Sequence, residues 1–366
     1  MSNRDVSRRA FVALPAAAIL ANARAQSATD TVRVAFIGLG NRGAYLLQHM
    51  KNVPGVKIVA LCDINPDTLA KAAAATPGAS TATDYRQLLD RTDIDAVVIA
   101  TPVDTHRDLA VAALDSAKHV YSEKPMALTP EECRAIVTTA KSAKGIYQAG
   151  FQLRHDPNRH ASMDFIHKGG IGRVLYCQGY RHTGDLPHQI AWYFDAKRSG
   201  NNIVEQACHI LDLFTWAVGD HPLRAMGSGG INLYKNDPPG RTTFDNYSVI
   251  YEFPNDVRLT FSHIYFDPDG FSGIRERVFG SQGAIDLAAA TWRELGKRKA
   301  EPIKLTVPDA GQDSTYLSLA AFIENARGRK KPLNDAESAR RSTLVGLMGR
   351  KAIDEKRIVT WEEVDL

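Results

Sequence analysis

At 366 residues, with 44% apolar and 23% charged residues, the chain has the composition of a soluble globular protein long enough for two domains. The formal charge is +4, but residues 1–25 hold four arginines against one aspartate, leaving 41 basic and 40 acidic side chains beyond them. A body so close to neutral argues against nucleic acid as a partner.

Residues 1–25 read as a cleavable export leader. Arg4, Arg8 and Arg9 form a basic start, and Ala10 to Ala21 is an apolar stretch too short to span a bilayer comfortably. Ala23-Arg24-Ala25 offers an A-x-A cleavage site, and Ser7-Arg8-Arg9-Ala10-Phe11 favours a twin-arginine signal over a retained anchor or an Ala-rich tail. The expectation is a periplasmic or otherwise exported protein with no membrane segment in its mature form. Cys62, Cys133, Cys177 and Cys208 lack C-x-x-C spacing and fall within predicted strands or helices, which favours buried free thiols over a disulfide framework or a zinc site.

From residue 30 to 150 strands and helices alternate, which predicts a parallel sheet with helices on both faces. Val32 to Ile37 is an apolar strand, followed by Gly38, Gly40 and Gly43 at G-x-G-x-x-G spacing and a helix from Ala44. Gly38 allows a tight turn, Gly40 lets the backbone approach a pyrophosphate, and Gly43 lets the helix pack close to the strand. The second strand, Val56 to Cys62, ends at Asp63, twenty residues past Gly43, where a carboxylate can bind a ribose hydroxyl. These features predict a Rossmann dinucleotide-binding domain, with Asn41 and Arg42 inside the turn. No basic residue adjoins Asp63, which favours NAD; Arg42 keeps NADP open by offering a partner for a 2′-phosphate.

The strand Ile94 to Ala100 delivers Thr101, Pro102 and His106 to the carboxyl edge of the sheet, where such folds bind their ligands. A capping or surface role for His106 is an equal alternative. The strand Lys118 to Ser122 delivers Glu123-Lys124-Pro125, and Pro125 biases Lys124 toward an extended backbone or a cis bond. Thr129-Pro130-Glu131-Glu132 reads as a capping box, and Gly145 to Gly150 is the closing strand.

Residues 151–315 change character. A helix through Ala161 to Lys168 precedes alternating segments at Val174 to Arg181, Ala225 to Leu233, Tyr247 to Phe253, Val257 to Tyr265 and Arg275 to Phe279. They predict an α+β substrate and oligomerisation domain built on an open, mostly antiparallel sheet, one face on the core and the other free for a homo-oligomer. Residues 316–366 supply amphipathic helices at Tyr316 to Ala326 and Ala336 to Ile353 that pack back on the core.

One helix interrupts the sheet domain and places Glu205, His209 and Asp212 at i, i+4 and i+7, a single helical face. The alternative is a surface face bearing an ion pair. Histidine titrates near neutrality and suits a base that takes a hydroxyl proton, and Lys124 suits a donor that stabilises alkoxide charge. Glu205, one turn away, would orient the imidazole and favour its charged form. Gln152, Arg154, His182 and Tyr193, with Asp212, are candidates to bind substrate hydroxyls, each with a structural hydrogen bond as the alternative. His182, His188 and Asp185 do not make a convincing ligand set, so no metal is expected.

In the order glycine turn, EKP loop, G-x-x-x-x-E-x-x-x-H helix and C-terminal helices, the chain resembles the Gfo/Idh/MocA oxidoreductases over essentially its whole mature length. The resemblance implies a Rossmann domain joined to an open antiparallel sheet, and NAD- or NADP-dependent action on sugars and polyols. It maps the family's lysine, which reaches nicotinamide and substrate, onto Lys124, and its catalytic histidine onto His209. Many members have aspartate where this chain has Glu205. The expected activity is hydride transfer between a tightly held nicotinamide dinucleotide and a hydroxyl or keto carbon of a sugar-like substrate. An NAD-dependent glycoside hydrolase, using transient oxidation, elimination and re-reduction, is the alternative, and a non-catalytic binding protein the third reading.

Overall fold

The structure is a computed structural model that describes residues 31–187, 190–268, 271, 273–297 and 299–365. The leader at 1–25 and His188 lie outside the described residues.

The first domain alternates β1 (Val32–Ile37), α1 (Asn41–Met50), β2 (Val56–Cys62), α2 (Pro66–Ala74), β3 (Ser80–Ala82), α3 (Arg86–Leu89), β4 (Ala96–Ile99), α4 (His106–Asp115), β5 (His119–Ser122), α5 (Pro130–Ser142) and β6 (Tyr147–Ala149). The six strands are parallel in the order β3-β2-β1-β4-β5-β6. Strand order reverses between β1 and β4, and that crevice is where a doubly wound sheet binds its ligand. β4 is buried at every position, as a strand covered on both faces must be. Thr129 and Glu132 form the reciprocal capping box at the start of α5.

The second domain follows with α6 (Pro157–His167), β7 (Val174–His182), α7 (Ala196–Ser199), α8 (Asn202–Glu205), α9 (Cys208–Val218), β8 (Arg224–Gly230), β9 (Asn246–Glu252), β10 (Arg258–Ile264), β11 (Gly273–Gly280), β12 (Gly283–Asp286), β13 (Thr291–Glu294) and β14 (Ile303–Lys304). α10 (Ser314–Gly328), α11 (Ala336–Glu355) and β15 (Val359–Thr360) complete the chain. Its nine-stranded sheet runs β14-β13-β12-β11-β7-β10-β9-β8-β15 and is antiparallel except where β7 and β10 pair in parallel. The β9–β10 hairpin turns through Asn255 and Asp256, both at positive φ, residue types that accept the left-handed region.

Side chains alternate across this sheet. Cys177, Leu259 and Val278 face inward onto Phe214 and Leu211 of α9, while Tyr176, Ser262 and Ile250 face outward. α10 returns to the first domain, packing Leu319, Phe322 and Ile323 on Leu46, Leu47 and Met50. α11 spans both units: Ala336 and Ala339 join the first domain's core, and Leu344, Val345 and Met348 join the second's. The two domains are therefore clamped with the ends of β1, β4 and β5 facing the α8–α9 region. The four cysteines are buried free thiols. Among the described residues no helix is long and apolar enough to cross a membrane.

Candidate active site

The glycine turn is built for close approach. Gly38 has φ +87°, and a Cβ there would meet the Ala100 carbonyl oxygen at 2.6 Å; a Cβ on Gly43 would lie 2.0 Å from the Gly38 oxygen. These two glycines satisfy the protein itself. Gly40 differs, since a Cβ there would meet nothing within 4 Å. It opens α1 as its N-cap, with no side-chain cap and no acidic residue in the first turn. An open backbone at a positively polarised helix end fits a dinucleotide pyrophosphate. At the end of β2 the Asp63 carboxylate accepts from Leu39 N at 2.7 Å and from Asn65 N at 2.8 Å, which fixes it beside the turn.

Arg42 is largely committed to the protein, with its buried Nη2 left without a partner among the described residues. Its Nε donates to Glu123 Oε1 at 2.7 Å, its Nη1 lies 3.4 Å from Thr315 Oγ1, and its guanidinium stands over the Tyr45 ring. Glu123, buried, is in turn occupied by Arg42 and by the Lys124 N–H, so it braces the EKP loop from behind. His106 is also a brace: buried, with Nδ1 2.8 Å from Pro125 O and Nε2 3.0 Å from Thr101 O, it ties the loop after β4 to the loop after β5. Burial holds its imidazole below the ordinary histidine value. Thr101 accepts at Oγ1 from Thr105 beside Pro102, the N-cap of the turn before α4. The Lys124–Pro125 bond is cis.

The expected single helix over Glu205, His209 and Asp212 is broken. α8 ends at Glu205, Gln206 leaves the helix, and α9 begins at Cys208. Lys124 meets the chain at this break. A continuous helix would give the Glu205 carbonyl to the His209 N–H, but here that oxygen accepts Lys124 Nζ at 2.5 Å. The Glu205 carboxylate takes the same ammonium at 2.7 Å, the two side chains being only 12% and 15% exposed. Glu205 is thus the counter-ion of Lys124 rather than the orienting partner of His209. Burial, the largest single influence, lowers the Lys124 pKa, but the charge and hydrogen bond of Glu205 together with Cys208 and Glu123 outweigh it and the net shift is upward, so the ammonium persists.

His209 carries the opposite shift. Burial first, then the positive charges of Lys124, Arg42, Arg181 and Arg159, hold its imidazole well below the ordinary histidine value. Its Nδ1 is buried with no partner among the described residues, and Phe151 meets the ring edge-on at 6.4 Å. The sequence reading favoured the charged form because it paired His209 with Glu205; that carboxylate belongs to Lys124, so His209 is a neutral base next to a fixed cation.

Four other candidates do not converge here. Arg154 and Asp212 form a buried ion pair, with Nη2 2.7 Å from Oδ1 and Ser342 Oγ donating to the same carboxylate at 2.6 Å. Neither is free to meet a ligand. Tyr193 is buried and hydrogen-bonded through its hydroxyl to Tyr265. His182 stands on the outward face of β7, stacked on Tyr180 and bonded to Ser262 and Asp267. Because side chains alternate along a strand, its neighbour Arg181 is the one that faces inward. Gln152, in the turn after β6, keeps a buried Oε1 without a partner among the described residues.

Sequence reasoning passed over Arg181, Gln206, His263 and Tyr265. Gln206 Oε1 accepts from Arg181 Nε at 3.1 Å and from the Tyr265 hydroxyl at 2.7 Å, so this group adjoins the Lys124–Glu205 pair. The available signal was phase: Arg181 continues the inward set of Cys177 and Gly179.

Together the groups present an open backbone at the α1 N-terminus, a held ammonium and an imidazole with lowered proton affinity where the two domains meet. A family model described as an oxidoreductase family with an NAD-binding Rossmann fold matches residues 32–151, and one for the GFO/IDH/MocA C-terminal domain matches 161–286. A scyllo-inositol 2-dehydrogenase (NAD(+)) of Bacillus subtilis is 28% identical, over 82% of this chain and 88% of its own. A glycosyl hydrolase family 109 protein of Shewanella pealeana is 32% identical over 47% of this chain and 42% of its own. The solved levoglucosan dehydrogenase complex with NADH superposes with a TM-score of 0.80 at 18% identity, over 90% of this chain and 99% of that one, a likeness of fold. The chain belongs to the Gfo/Idh/MocA family of oxidoreductases, and its first domain is an NAD-binding Rossmann domain.

Proposed function

We propose that the protein is an exported dehydrogenase that oxidises a hydroxyl carbon of a sugar or polyol derivative. The observation that carries this reading is geometric: the Lys124 ammonium is fixed on the Glu205 carbonyl and carboxylate, and His209, four residues on, keeps a buried Nδ1 without a partner among the described residues, with the opposite pKa directions of the two groups in support. Bound NAD, held by the Gly40 cradle, the α1 N-terminus and Asp63, supplies the hydride acceptor. His209 accepts the hydroxyl proton, and Lys124 offsets the negative charge that grows on the oxygen as the proton leaves. In the reverse direction His209 returns that proton. The similarity to an inositol dehydrogenase supports a polyol-like substrate, and the leader pattern at residues 1–25 supports export.

The test is absorbance of reduced nicotinamide while the purified protein, supplied with NAD, is offered polyols and sugars. Absorbance that rises with one of them and rises far more slowly in Lys124→Ala supports the reading; no rise with any sugar or polyol, under conditions in which NAD binds, overturns it. Nucleotide released from the freshly purified protein by denaturation tests tight retention.

The partial similarity to a glycosyl hydrolase family 109 protein favours one second reading, a redox-neutral glycosidase that uses the same His209 and Lys124. Release of an aryl group from a glycoside without net reduction, with solvent deuterium entering the sugar, would select it. The outward sheet face, which exposes Ile250, supports self-association through that surface; light scattering of Ile250→Lys tests it.

A further inference from the structure

The other buried or half-buried arginines around the domain junction are paired with a carboxylate or spent on backbone carbonyls among the described residues. Arg42 has Glu123, Arg154 has Asp212 and Arg159 has Glu276. Arg241 is spent on the backbone carbonyls of Asp237, Thr243 and Phe244. Arg181 is the exception: it is half-buried, its Nε is fixed on Gln206, and among the described residues no carboxylate lies within ion-pair distance of it.

The sheet register fixes where this guanidinium stands. Arg181 pairs across β7 with His263 on β10 and with Ile274 on β11, forming one inward-facing row at the mouth of the sheet. The next row inward holds Gly179, where a Cβ would lie 2.7 Å from Phe214 of α9, so the helix covers that row. Ile274, 45% exposed, leaves an apolar surface beside the guanidinium. Gln206 joins Arg181 to the residue that holds Lys124, and Arg181 is near enough to depress the proton affinity of both His209 and His263.

A half-buried arginine with Nε fixed presents its Nη edge as a rigid fork, whose matching partner is a planar two-oxygen anion. The row has no such partner, and the adjoining Glu205 and Glu123 are already committed. We propose that Arg181 anchors a carboxylate of the substrate, which makes the substrate a sugar acid rather than a neutral polyol. This rests on the dehydrogenase reading for the reaction, but the anchor is a binding claim and can be measured separately.

The test compares matched acid and neutral probes, gluconate against glucitol and glucuronate against glucose, with glucose 6-phosphate as a second anion. The acid of a pair is expected to have the higher kcat/KM, and Arg181→Gln should lower the acid-to-neutral ratio by about 10- to 100-fold, the scale of one hydrogen-bonded charge. Arg181→Lys, which keeps the charge and loses the fork, should fall between. NAD binding by each variant, followed by titration calorimetry, reports that it is folded.

Equal ratios in wild type and Arg181→Gln would overturn the anchor and leave the dehydrogenase reading standing. Preference for the phosphate with the same Arg181 dependence would overturn the carboxylate. If no probe is oxidised, calorimetric titration of gluconate and glucuronate into the NAD-loaded protein separates the two claims. Binding of either acid that needs Arg181 supports the anchor while the dehydrogenase reading fails, and absence of acid binding overturns both.

Discussion

Lys124 Nζ is held by two oxygens of one residue, the backbone carbonyl of Glu205 at 2.5 Å and its carboxylate at 2.7 Å. This contact lies at the break between α8 and α9, helps retain the ammonium charge and commits the Glu205 carboxylate to Lys124. It also joins the domains, since Lys124 follows β5 of the Rossmann sheet and Glu205 ends α8. Lys124→Ala should lower kcat for alcohol oxidation by roughly 10²–10³-fold, the usual loss when one donor to a developing oxyanion is removed. Glu205→Gln leaves the amine but removes the largest of the charges that oppose desolvation. The Lys124 pKa then falls, and the alkaline limb of kcat against pH should move to lower pH in that variant.

His209 supplies the acid side of the same profile. Only its neutral form can take a proton, and its pKa lies well below the ordinary value, so the base is already formed at pH 6.5 and remains so below it. The acid limb of kcat/KM for oxidation should therefore appear well below pH 6.5. His209→Ala should cost about 10²–10⁴-fold in kcat. Lys124→Ala, by removing the nearest positive charge, should move the acid limb of its residual activity toward higher pH.

The glycine turn separates folding from ligand binding. Gly43→Ala would force a Cβ to within 2.0 Å of the Gly38 oxygen. The turn must open, at a cost on the order of 1–3 kcal/mol, and denaturant unfolding should detect the loss without any nucleotide present. Gly40→Ala meets no protein atom within 4 Å, so stability should change little. The added methyl instead enters the cradle, and NAD affinity measured by calorimetry should fall about tenfold or more, the equivalent of about 1.4 kcal/mol per decade.

Much of this was legible in the residues. The turn, the strand ending at Asp63 and the position of Lys124 followed from local pattern, because apolar runs and glycine spacing encode a nucleotide fold within a few dozen residues. The capping box of Thr129 and Glu132 was equally local. What failed was long-range. Nothing in NNIVEQACHILD announces that a lysine 81 positions upstream will take the Glu205 carbonyl, and without that contact an unbroken helix is the natural reading. His182 is by its chemistry only a candidate for the site, with a structural hydrogen bond as the alternative, and strand phase turns it to the outer face and turns Arg181 inward. Partnership decided the rest: Arg42, His106 and Glu123 lie where expected but are consumed by one another's loops.

Arg154 and Asp212 offer the clearest contrast between chemistry-bearing residue types and function. The pair is buried, its carboxylate also takes Ser342 Oγ of α11, Arg154 Nη1 donates to Leu333 O at 3.2 Å, and Trp216 lies 5.3 Å from the guanidinium. These contacts pin the turn after β6 to α9 and α11 at the domain junction. Asp212→Asn would leave a buried guanidinium without its counter-charge, which typically costs about 3–5 kcal/mol, and urea unfolding should show that loss. Arg154→Met with Asp212→Leu removes both charges and fills similar space, so much of the stability should return. In that double variant the KM for substrate should stay near wild type, because neither side chain reaches the cleft. A KM raised tenfold at restored stability would return the pair to the substrate site.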